Sequence, residues 1–315
     1  MSAAPAVRVE SVVKRYGATT ALAEVSVDVG QGELFGFIGP DGAGKTSLFR
    51  ILVTLLVPDA GRAEVLGLDV VREMWTLRRR VGYMPGRFSL YPDLSVAENL
   101  DFFASVFGTT PAAEMATIAP IYDQLAPFAG RRAGALSGGM KQKLALCCAL
   151  VHRPDILLLD EPTTGVDAVS RREFWDLLAR LRADGLTIVV STPYMDEAAR
   201  CDRVALIDRG RLLAVDTPAA ITAAFGRPLL AVAGSRRHEL LRASRAYPHA
   251  ASVFPFGEVL HVTDQRDLPV AQLEAELRAH LAAAGHEDAA VASTEPTIED
   301  AFMARMGAPA GEEGA

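Results

Sequence analysis

The chain has 315 residues, of which 50% are hydrophobic, and its formal net charge is −7. This length suits one large domain with a smaller one beside it, and the acidic balance argues against nucleic acid as the main partner. No apolar stretch reaches the length of a membrane span, and the N-terminus lacks the features of a secretory signal, so we expect a cytoplasmic protein.

The first part of the chain predicts three β-strands. Residues 7–13 and 21–29 alternate between apolar and polar side chains, and Tyr16-Gly17 between them predicts a turn. The continuous apolar run from Leu34 to Ile38 predicts a buried strand.

That buried strand leads into a phosphate-binding loop of the pattern G-x-x-x-x-G-K-T, and helix-forming sequence follows. The strand–loop–helix context makes the motif specific. The loop's N–H groups and the helix N-terminus favour a bound phosphate. Lys45 is expected to reach the β- and γ-phosphates and the Thr46 hydroxyl to bind Mg²⁺. The expected nucleotide-binding residues here are Gly39, Pro40, Asp41, Gly42, Ala43, Gly44, Lys45, Thr46 and Ser47.

Helical patterns follow over about residues 87–150. Ser95 and Glu98 form a capping box that predicts the start of a helix. Residues 144–150 predict a buried helix that contains two of the three cysteines, which we interpret as core residues rather than metal or disulfide partners. Before this helix, Ser137, Gly138 and Gly139 form a second Gly-rich turn that could cradle an anion.

Two acidic residues, Asp160 and Glu161, close the apolar strand at residues 156–159. A buried strand that ends in this way places both carboxylates at the sheet edge where the phosphate loop lies. We expect Asp160 to hold Mg²⁺ and Glu161 to orient or deprotonate the attacking water.

The remaining sequence predicts the end of this domain and a second one. Ser170 is predicted to cap a helix that runs to about Arg182, and residues 186–191 form an apolar strand. The composition shifts after Thr217-Pro218. We predict a domain over residues 1–221, a small α+β accessory domain over 222–306 and a flexible tail over 307–315.

Three motifs together, in this order and spacing, resemble the nucleotide-binding subunit of an ABC transporter. They are the phosphate loop, residues 136–139 and residues 159–162. The resemblance covers about residues 7–217 and implies an α/β P-loop ATPase core with an antiparallel β subdomain and a helical subdomain. Tyr16 matches the aromatic residue that stacks on adenine, and Asp167 matches a loop that crosses the dimer interface.

The resemblance also implies a function. Two such domains pair head to tail and enclose ATP between Lys45, Asp160 and Glu161 of one and the Ser137–Gly139 turn of the other, and closure acts on a membrane subunit. The similarity is to ATPases of ABC-2-type exporters, which include drug-resistance pumps. Residues 295–302 match a C-terminal element of that branch. The expected location is the inner face of the plasma membrane, and the second ATPase domain is either an identical or a different chain.

Two positions depart from the family pattern. Gly86 stands where a Gln usually senses Mg²⁺ and water, and Pro193 stands where a His usually contacts the γ-phosphate. Proline offers no side-chain donor and no N–H, so hydrolysis is expected to be slow. In a homodimer both sites would lack the two usual groups, and Arg87 and Tyr194 are then the candidates to compensate.

Other functions remain possible at this stage. One alternative is a hydrolysis-impaired, nucleotide-gated clamp or regulatory subunit that pairs with a conventional ATPase. Another is an ABC ATPase of DNA repair or translation. The long coiled coil of the repair proteins and the doubled ATPase domains of the translation factors are both lacking here.

Overall fold

The computed structural model describes residues 4–86 and 90–306, and the chain divides into two compact units between Pro218 and Ala219. The division falls in helix α7 (Pro218–Ala223), three residues before the expected start of the accessory domain at residue 222. Arg87 and the expected tail over 307–315 lie outside the described residues.

The central sheet of the first unit has six strands in its described part, and five of them are parallel. The predicted strands near residues 34–38, 156–159 and 186–191 are confirmed here as three neighbouring members. Their carboxyl ends meet at one edge of the sheet, which therefore carries the phosphate loop and both acidic residues. With strands numbered in chain order, the spatial order is β10 (Arg211–Asp216), β9 (Arg203–Asp208), β3 (Leu34–Ile38), β8 (Thr187–Thr192), β7 (Ile156–Asp160) and β6 (Val81–Met84).

A second, antiparallel sheet forms the predicted β subdomain. The prediction that the first strand stops at Val13 and that Tyr16 lies in a turn is wrong, because Tyr16 pairs with Thr19 at the end of the strand. Register shifts after Val9 let the pairing continue past the local turn signal, and the reversal falls at Gly17, whose φ is +57°. The spatial order is β2 (Thr19–Val29), β1 (Val7–Tyr16), β4 (Ala60–Val65) and β5 (Leu68–Asp69).

Capping side chains set the starts of three helices of the first unit, and two of these starts differ from the prediction. The helix expected over residues 144–150 begins at Gly138, because Ser137 accepts the Met140 N–H, so Gly138 and Gly139 belong to the helix rather than to a turn before it. Ser95 accepts a hydrogen bond from the Glu98 N–H, and the Glu98 carboxylate accepts one from the Ser95 N–H, which confirms the capping box. The helix expected to start at Ser170 starts earlier, because Asp167 accepts the N–H groups of Val169 and Ser170. The helices are α1 (Lys45–Leu52), α2 (Met74–Arg78), α3 (Val96–Val106), α4 (Met115–Tyr122), α5 (Gly138–Leu150) and α6 (Ala168–Ala183).

The core between the two sheets of this unit holds the phosphate loop in place. Phe35 and Phe37 of β3 and Phe49 of α1 are fully buried. The ring centroids of Phe35 and Phe37 are 5.2 Å apart, and those of Phe37 and Phe49 are 5.9 Å apart. Fully burying one such side chain contributes roughly 1.5–3 kcal/mol. The strand before the loop and the helix after it are thus anchored in one hydrophobic cluster.

The second unit is an α+β domain with a four-stranded antiparallel sheet. Its strands and helices follow one another along the chain in the order β-α-β-β-α-β. In the sheet, the first strand of this series lies between the third and the fourth, which is the ferredoxin-like arrangement. The spatial order is β12 (Ala250–Phe256), β13 (Val259–Asp264), β11 (Leu229–Ala233) and β14 (Ala290–Thr294), and the helices are α8 (Arg237–Arg245), α9 (Val270–Ala283) and α10 (Ile298–Met306).

The sequence element at residues 295–302 has a defined place in this unit. Asp300 accepts hydrogen bonds from the N–H and the hydroxyl of Thr297, and its other oxygen lies 2.6 Å from Nδ1 of His261 on β13. Both members of the His261–Asp300 pair are buried. The element therefore fastens the start of α10 to the sheet. None of the described helices of the chain is long and apolar enough to cross a membrane.

Candidate nucleotide site

The phosphate loop connects the end of β3 to the start of α1 and requires glycine at two positions. A Cβ atom at Gly39 would lie 2.0 Å from the carbonyl oxygen of Ile207, and one at Gly44 would lie 2.3 Å from that of Ala21. Gly44 also has a φ of +107°. The loop is therefore held against two neighbouring strands at distances that only glycine permits.

Lys45 begins α1 and points back over the loop. Its Nζ donates hydrogen bonds to the carbonyl oxygens of Gly39 (2.7 Å) and Pro40 (3.0 Å). The same Nζ lies 3.3 Å from Oε1 of Glu161. Lys45 is only 3% exposed, so its charge is compensated within the loop and the adjacent carboxylate.

Thr46 and Asp160 meet as the sequence predicted. The Thr46 hydroxyl donates to Oδ1 of Asp160 at 3.3 Å, and the hydroxyl of Ser191 donates to the same oxygen at 2.6 Å. Asp160 is buried at the end of β7, beside Ser191 on β8. The site thus presents hydroxyl and carboxylate oxygens, the ligand type that Mg²⁺ prefers.

Glu161 occupies an unusual backbone conformation. Its φ is +51°, in the left-handed region that non-glycine residues rarely adopt. Its N–H donates to both the hydroxyl (3.0 Å) and the carbonyl oxygen (3.1 Å) of Ser191. Such strained residues persist where the surrounding structure over-determines them, often at functional sites.

Tyr16 lies beside the same helix, as expected for an adenine contact. Its hydroxyl is 3.4 Å from the hydroxyl of Ser47, and Nζ of Lys14 lies 5.9 Å from the ring centroid. The side chain is 48% exposed. An aromatic face is therefore available at the loop's edge.

The second Gly-rich turn does not join the phosphate loop within the described chain. Ser137 caps α5 by accepting the Met140 N–H, and a Cβ at Gly139 would lie 2.4 Å from the Ser170 hydroxyl. Among the described residues, no hydrogen bond or ion pair connects residues 137–139 to residues 39–47. Ser137 and Gly138 are exposed, so both are accessible to another molecule.

Asp167 is an exposed carboxylate near this second turn. Hydrogen bonds from Ser170 and Val169 lower its pKa, so it is ionised at neutral pH. It follows Gly165, whose φ is +75°. The Gly165 carbonyl oxygen would lie 3.7 Å from a Cβ at Gly138, so the loop that ends at Asp167 and the second turn form one surface.

The two departures from the family pattern lie at the same sheet edge. A Cβ at Gly86 would lie 3.0 Å from the Asp160 carbonyl oxygen. Tyr194, which follows Pro193, has its ring 4.2 Å from the guanidinium carbon of Arg171. Of the two compensating groups named from the sequence, Arg87 is outside the described residues and Tyr194 is held against α6.

One buried carboxylate in this region, Glu197, received no role from the sequence, where the Glu197-Ala198 segment only matched the family pattern after the final catalytic strand. Glu197 is 3% exposed and accepts hydrogen bonds from Thr163 (2.8 Å), Thr192 (2.5 Å) and Nε of Arg171 (3.2 Å). These partners lie in the segment after β7 (Thr163), at the end of β8 (Thr192) and on α6 (Arg171). The sequence could not predict that Glu197 is buried, because a carboxylate's burial is decided by tertiary contacts.

A groove lies between α3, α5 and the segment around β6. Its volume is about 390 Å³, and aromatic and aliphatic side chains dominate its lining. Phe107 stacks on His152 with ring centroids 3.7 Å apart, and burial lowers the pKa of His152. Burial and the charge of Asp160 raise the pKa of Tyr83, which also lines the groove, to about 12. Both groups are therefore neutral at physiological pH.

Comparison with known proteins places these residues in a family context. A family model described as ABC transporter matches residues 22–164. The chain is 39% identical over 293 residues to the probable multidrug ABC transporter ATP-binding protein YbhF of Escherichia coli, covering 91% of this chain but 49% of that protein. It is 36% identical to the daunorubicin resistance ATP-binding protein DrrA3 of Streptomyces coeruleorubidus, covering 95% of each.

A third relative and two solved structures agree with this comparison. The Nod factor export ATP-binding protein I of Burkholderia orbicola is 42% identical, with 70% of this chain and 73% of that protein covered. An ATP-binding subunit of an ABC transporter gives a TM-score of 0.63 at 27% identity, covering 70% of this chain and 93% of that one. A dimeric ATP-binding cassette in a post-hydrolysis state with ADP and Pi gives 0.60 at 27% identity, covering 67% and 98%.

Proposed function

The chain belongs to the ABC transporter ATP-binding family, and on that premise we propose that it is the ATP-hydrolysing subunit of an ABC-2-type exporter. The observation that carries the proposal is the meeting of Lys45, Thr46, Asp160 and Glu161 at one sheet edge. The relatives named for multidrug transport, drug resistance and Nod factor export support an export role. The chain spans only 49% of the length of YbhF, so the transported substrate is a separate question.

Binding of ATP would use the loop's N–H groups and Lys45. The Lys45 ammonium group donates hydrogen bonds to two carbonyl oxygens and forms an ion pair with Glu161. An incoming polyphosphate offers it stronger anionic partners, so Lys45 moves from Glu161 to the β- and γ-phosphates. Tyr16 would stack on the adenine ring, since its exposed face lies beside α1.

The oxygen donors at the loop fit a magnesium ion. Thr46 and Asp160 supply one hydroxyl and one carboxylate, and Mg²⁺ in nucleotide sites is held by one or two such groups together with substrate phosphates. When bound, the ion would neutralise charge on the β- and γ-phosphates. Asp160 and Thr46 would hold it.

Glu161 is the candidate base for hydrolysis. Once Lys45 contacts phosphate, the Glu161 carboxylate is free to accept a proton from the attacking water. The water oxygen forms a bond to the γ-phosphorus, and the bond to the β–γ bridging oxygen breaks, which gives ADP and phosphate. The left-handed backbone of Glu161 orients its side chain toward this position in advance.

A second ATPase domain would complete each site. Ser137 and Gly138 are exposed at the start of α5, with Gly139 buried behind them, and they are adjacent to the loop that ends at Asp167. We infer that Ser137, Gly138 and Gly139 contact the phosphates bound by the partner domain and that Asp167 lies at the dimer interface. The reason is that, among the described residues of one chain, these residues form no hydrogen bond to residues 39–47. Both a homodimer and a heterodimer satisfy this geometry.

The membrane subunit would dock in the apolar groove. Phe103, Val106 and Phe107 of α3 line one wall, and Val106 is 62% exposed. A short amphipathic helix of an ABC-2-type permease could place its apolar face there, as helices do in hydrophobic grooves. The chain would then lie on the cytoplasmic face of the membrane. The clamp and the repair or translation roles are not favoured, because the relatives are named as transporter ATP-binding proteins.

The test separates nucleotide binding from hydrolysis. Lys45→Ala should lose most ATP binding, because it removes the ammonium group that lies against the loop and Glu161. Glu161→Gln should bind ATP and accumulate as a closed dimer. Binding is measured with a fluorescent ATP analogue and dimerisation by size-exclusion chromatography with Mg-ATP. Lys143→Ala is the control, since Lys143 is also a buried, ion-paired lysine but contacts Gln124 and Glu173.

Two outcomes would contradict the proposal. One is tight ATP binding by Lys45→Ala. The other is a Glu161→Gln protein that stays monomeric in saturating Mg-ATP, both alone and with its permease present.

A further inference from the structure

We propose that Ser191 is a positioning residue that fixes both acidic groups of the nucleotide site. This inference rests on the proposed ATPase function and concerns the same site. Ser191 lies on β8, directly beside Asp160 on β7, and is 0% exposed. Its single hydroxyl contacts both residues that the chemistry requires.

The first contact orients Asp160. The Ser191 hydroxyl donates to Oδ1 of Asp160 at 2.6 Å, shorter than the 3.3 Å contact from Thr46. A hydrogen bond to a carboxylate at this distance is of the strong, charge-assisted type. It fixes Oδ1, the oxygen that also accepts the Thr46 hydroxyl, and so sets the orientation of the carboxylate beside the phosphate loop.

The second contact holds Glu161. The Ser191 hydroxyl oxygen accepts the Glu161 N–H at 3.0 Å, and the Ser191 carbonyl oxygen accepts the same N–H at 3.1 Å. Glu161 has a φ of +51°, a strained conformation that persists only where the surrounding contacts hold it. The two acceptors on Ser191 are the surroundings that impose it.

The hydroxyl is used in both of its capacities. It donates its only hydrogen to Asp160 and accepts one from Glu161, so the rotation of the side chain is determined. The next residue on the strand, Thr192, turns its hydroxyl to Glu197 instead. Alanine supplies neither of these hydroxyl contacts and keeps only the backbone carbonyl bond to the Glu161 N–H, at a position that is fully buried.

The experiment compares Ser191→Ala with Ser191→Thr, which keeps the hydroxyl. Ser191→Ala should lower the turnover number about tenfold, the effect of losing one hydrogen bond to a charged group, with the KM for ATP little changed. It should also raise the Mg²⁺ concentration needed for tight binding of a fluorescent ATP analogue, measured without turnover. Ser191→Thr should recover most of both properties.

Ser244→Ala is the matched control. Ser244 is also fully buried, but its hydroxyl has no partner in the described part of the chain. This variant should leave the turnover number and the Mg²⁺ requirement unchanged. Thermal unfolding is measured for every variant, and Ser191→Cys, which keeps the shape with a weak donor, replaces Ser191→Ala if the latter does not fold.

The outcomes decide between the inference and the proposed function. Wild-type Mg²⁺ dependence and turnover in Ser191→Ala overturn the inference. So does a loss of turnover without a change in Mg²⁺ requirement that Ser191→Thr fails to restore, since that pattern indicates packing alone. A wild-type protein that neither binds nor hydrolyses ATP overturns the proposed function instead.

Discussion

At the scale of single residues, the proposed nucleotide site has its expected binding groups but departs from the family pattern at two positions expected to handle the attacking water and the γ-phosphate. Thr46 contacts Asp160, and Lys45 contacts Glu161. Gly86 and Pro193 stand where the family usually has donors. The structure brings Gly86 close to Asp160 but shows Tyr194 packed on Arg171. Binding and turnover are therefore expected to depend on different residues.

The site of this chain is predicted to hydrolyse ATP slowly. Loss of one preorganised donor typically costs about 10²–10³ in rate, so we expect a single-turnover rate constant below about 1 s⁻¹, the low end of common enzyme rates. Pro193→His should raise it, because a side-chain donor then reaches the γ-phosphate. The rate is measured by rapid quench, with and without the membrane subunit.

Gly86→Gln tests the other position and needs a steric control. A Cβ there would lie 3.0 Å from the Asp160 carbonyl oxygen, so the backbone must shift by a few tenths of an ångström. Gly86→Ala makes the same shift without the amide. A wild-type rate at or above about 1 s⁻¹ that neither Pro193→His nor Gly86→Gln improves would disprove an impaired site.

The three cysteines are predicted to be unreactive in the folded protein. Cys147, Cys148 and Cys201 are buried and free, and burial raises the pKa of each thiol. Because the thiolate is the nucleophile, a thiol reagent at pH 8 should label none of them within minutes and all three in denaturant. Rapid labelling of the native protein would show that α5 or the turn before β9 opens readily.

At the scale of elements, the edges of the accessory sheet differ in how they avoid pairing with other chains. The edge strand β12 carries Pro255, which lacks an N–H. The other edge, β14, contains no proline or charge. Its Ser293 N–H instead donates to Glu274 (2.7 Å), and its Val291 carbonyl oxygen accepts from Arg278 (2.8 Å). Two side chains of α9 therefore cover this edge.

Removing that cover should promote self-association. The Glu274→Ala/Arg278→Ala double variant leaves two backbone groups open to a second strand, and we expect about 1 kcal/mol lower unfolding free energy from the lost hydrogen bonds. Association is measured by sedimentation velocity. Arg242→Ala is the control, because it removes a charge from an exposed position of α8, away from β14, and it should sediment as the wild type does. A double variant with wild-type sedimentation would show that the edge is protected in another way.

At the scale of the whole molecule, the chain consists of two units with separate hydrophobic cores. All of the proposed site residues fall before Thr217, and the second unit contains its own complete sheet. Folding of the first unit is therefore expected to proceed without the second.

A chain that ends at Ile221 is predicted to fold and to bind ATP with an affinity within about twofold of the full chain, a difference below 0.5 kcal/mol. Binding is measured by calorimetry, and Lys45→Ala in the same shortened chain verifies that the binding is specific. An insoluble or non-binding product would mean that the accessory unit is needed for the core to fold.

Much of this architecture could be predicted from local patterns. The phosphate loop, the capping box at Ser95 and the Asp160–Glu161 strand end were all identified because each depends on residues adjacent in sequence. Local signals misplaced the end of β1 and the start of α6, since pairing with Thr19 and the Asp167 cap outweighed them. They also did not predict β12, β14 or α10.

What the sequence alone determined is the family resemblance and the set of groups that could handle ATP, because these depend on residue type and spacing along the chain. Only the tertiary structure decided how those groups are held. The pairing of Asp160 with Ser191 and the bonds from Thr163 and Arg171 to Glu197 join residues that are 26 to 34 positions apart in the sequence. Such contacts depend on which strands become neighbours in the sheet, and a strand's own sequence carries no record of its neighbour's side chains.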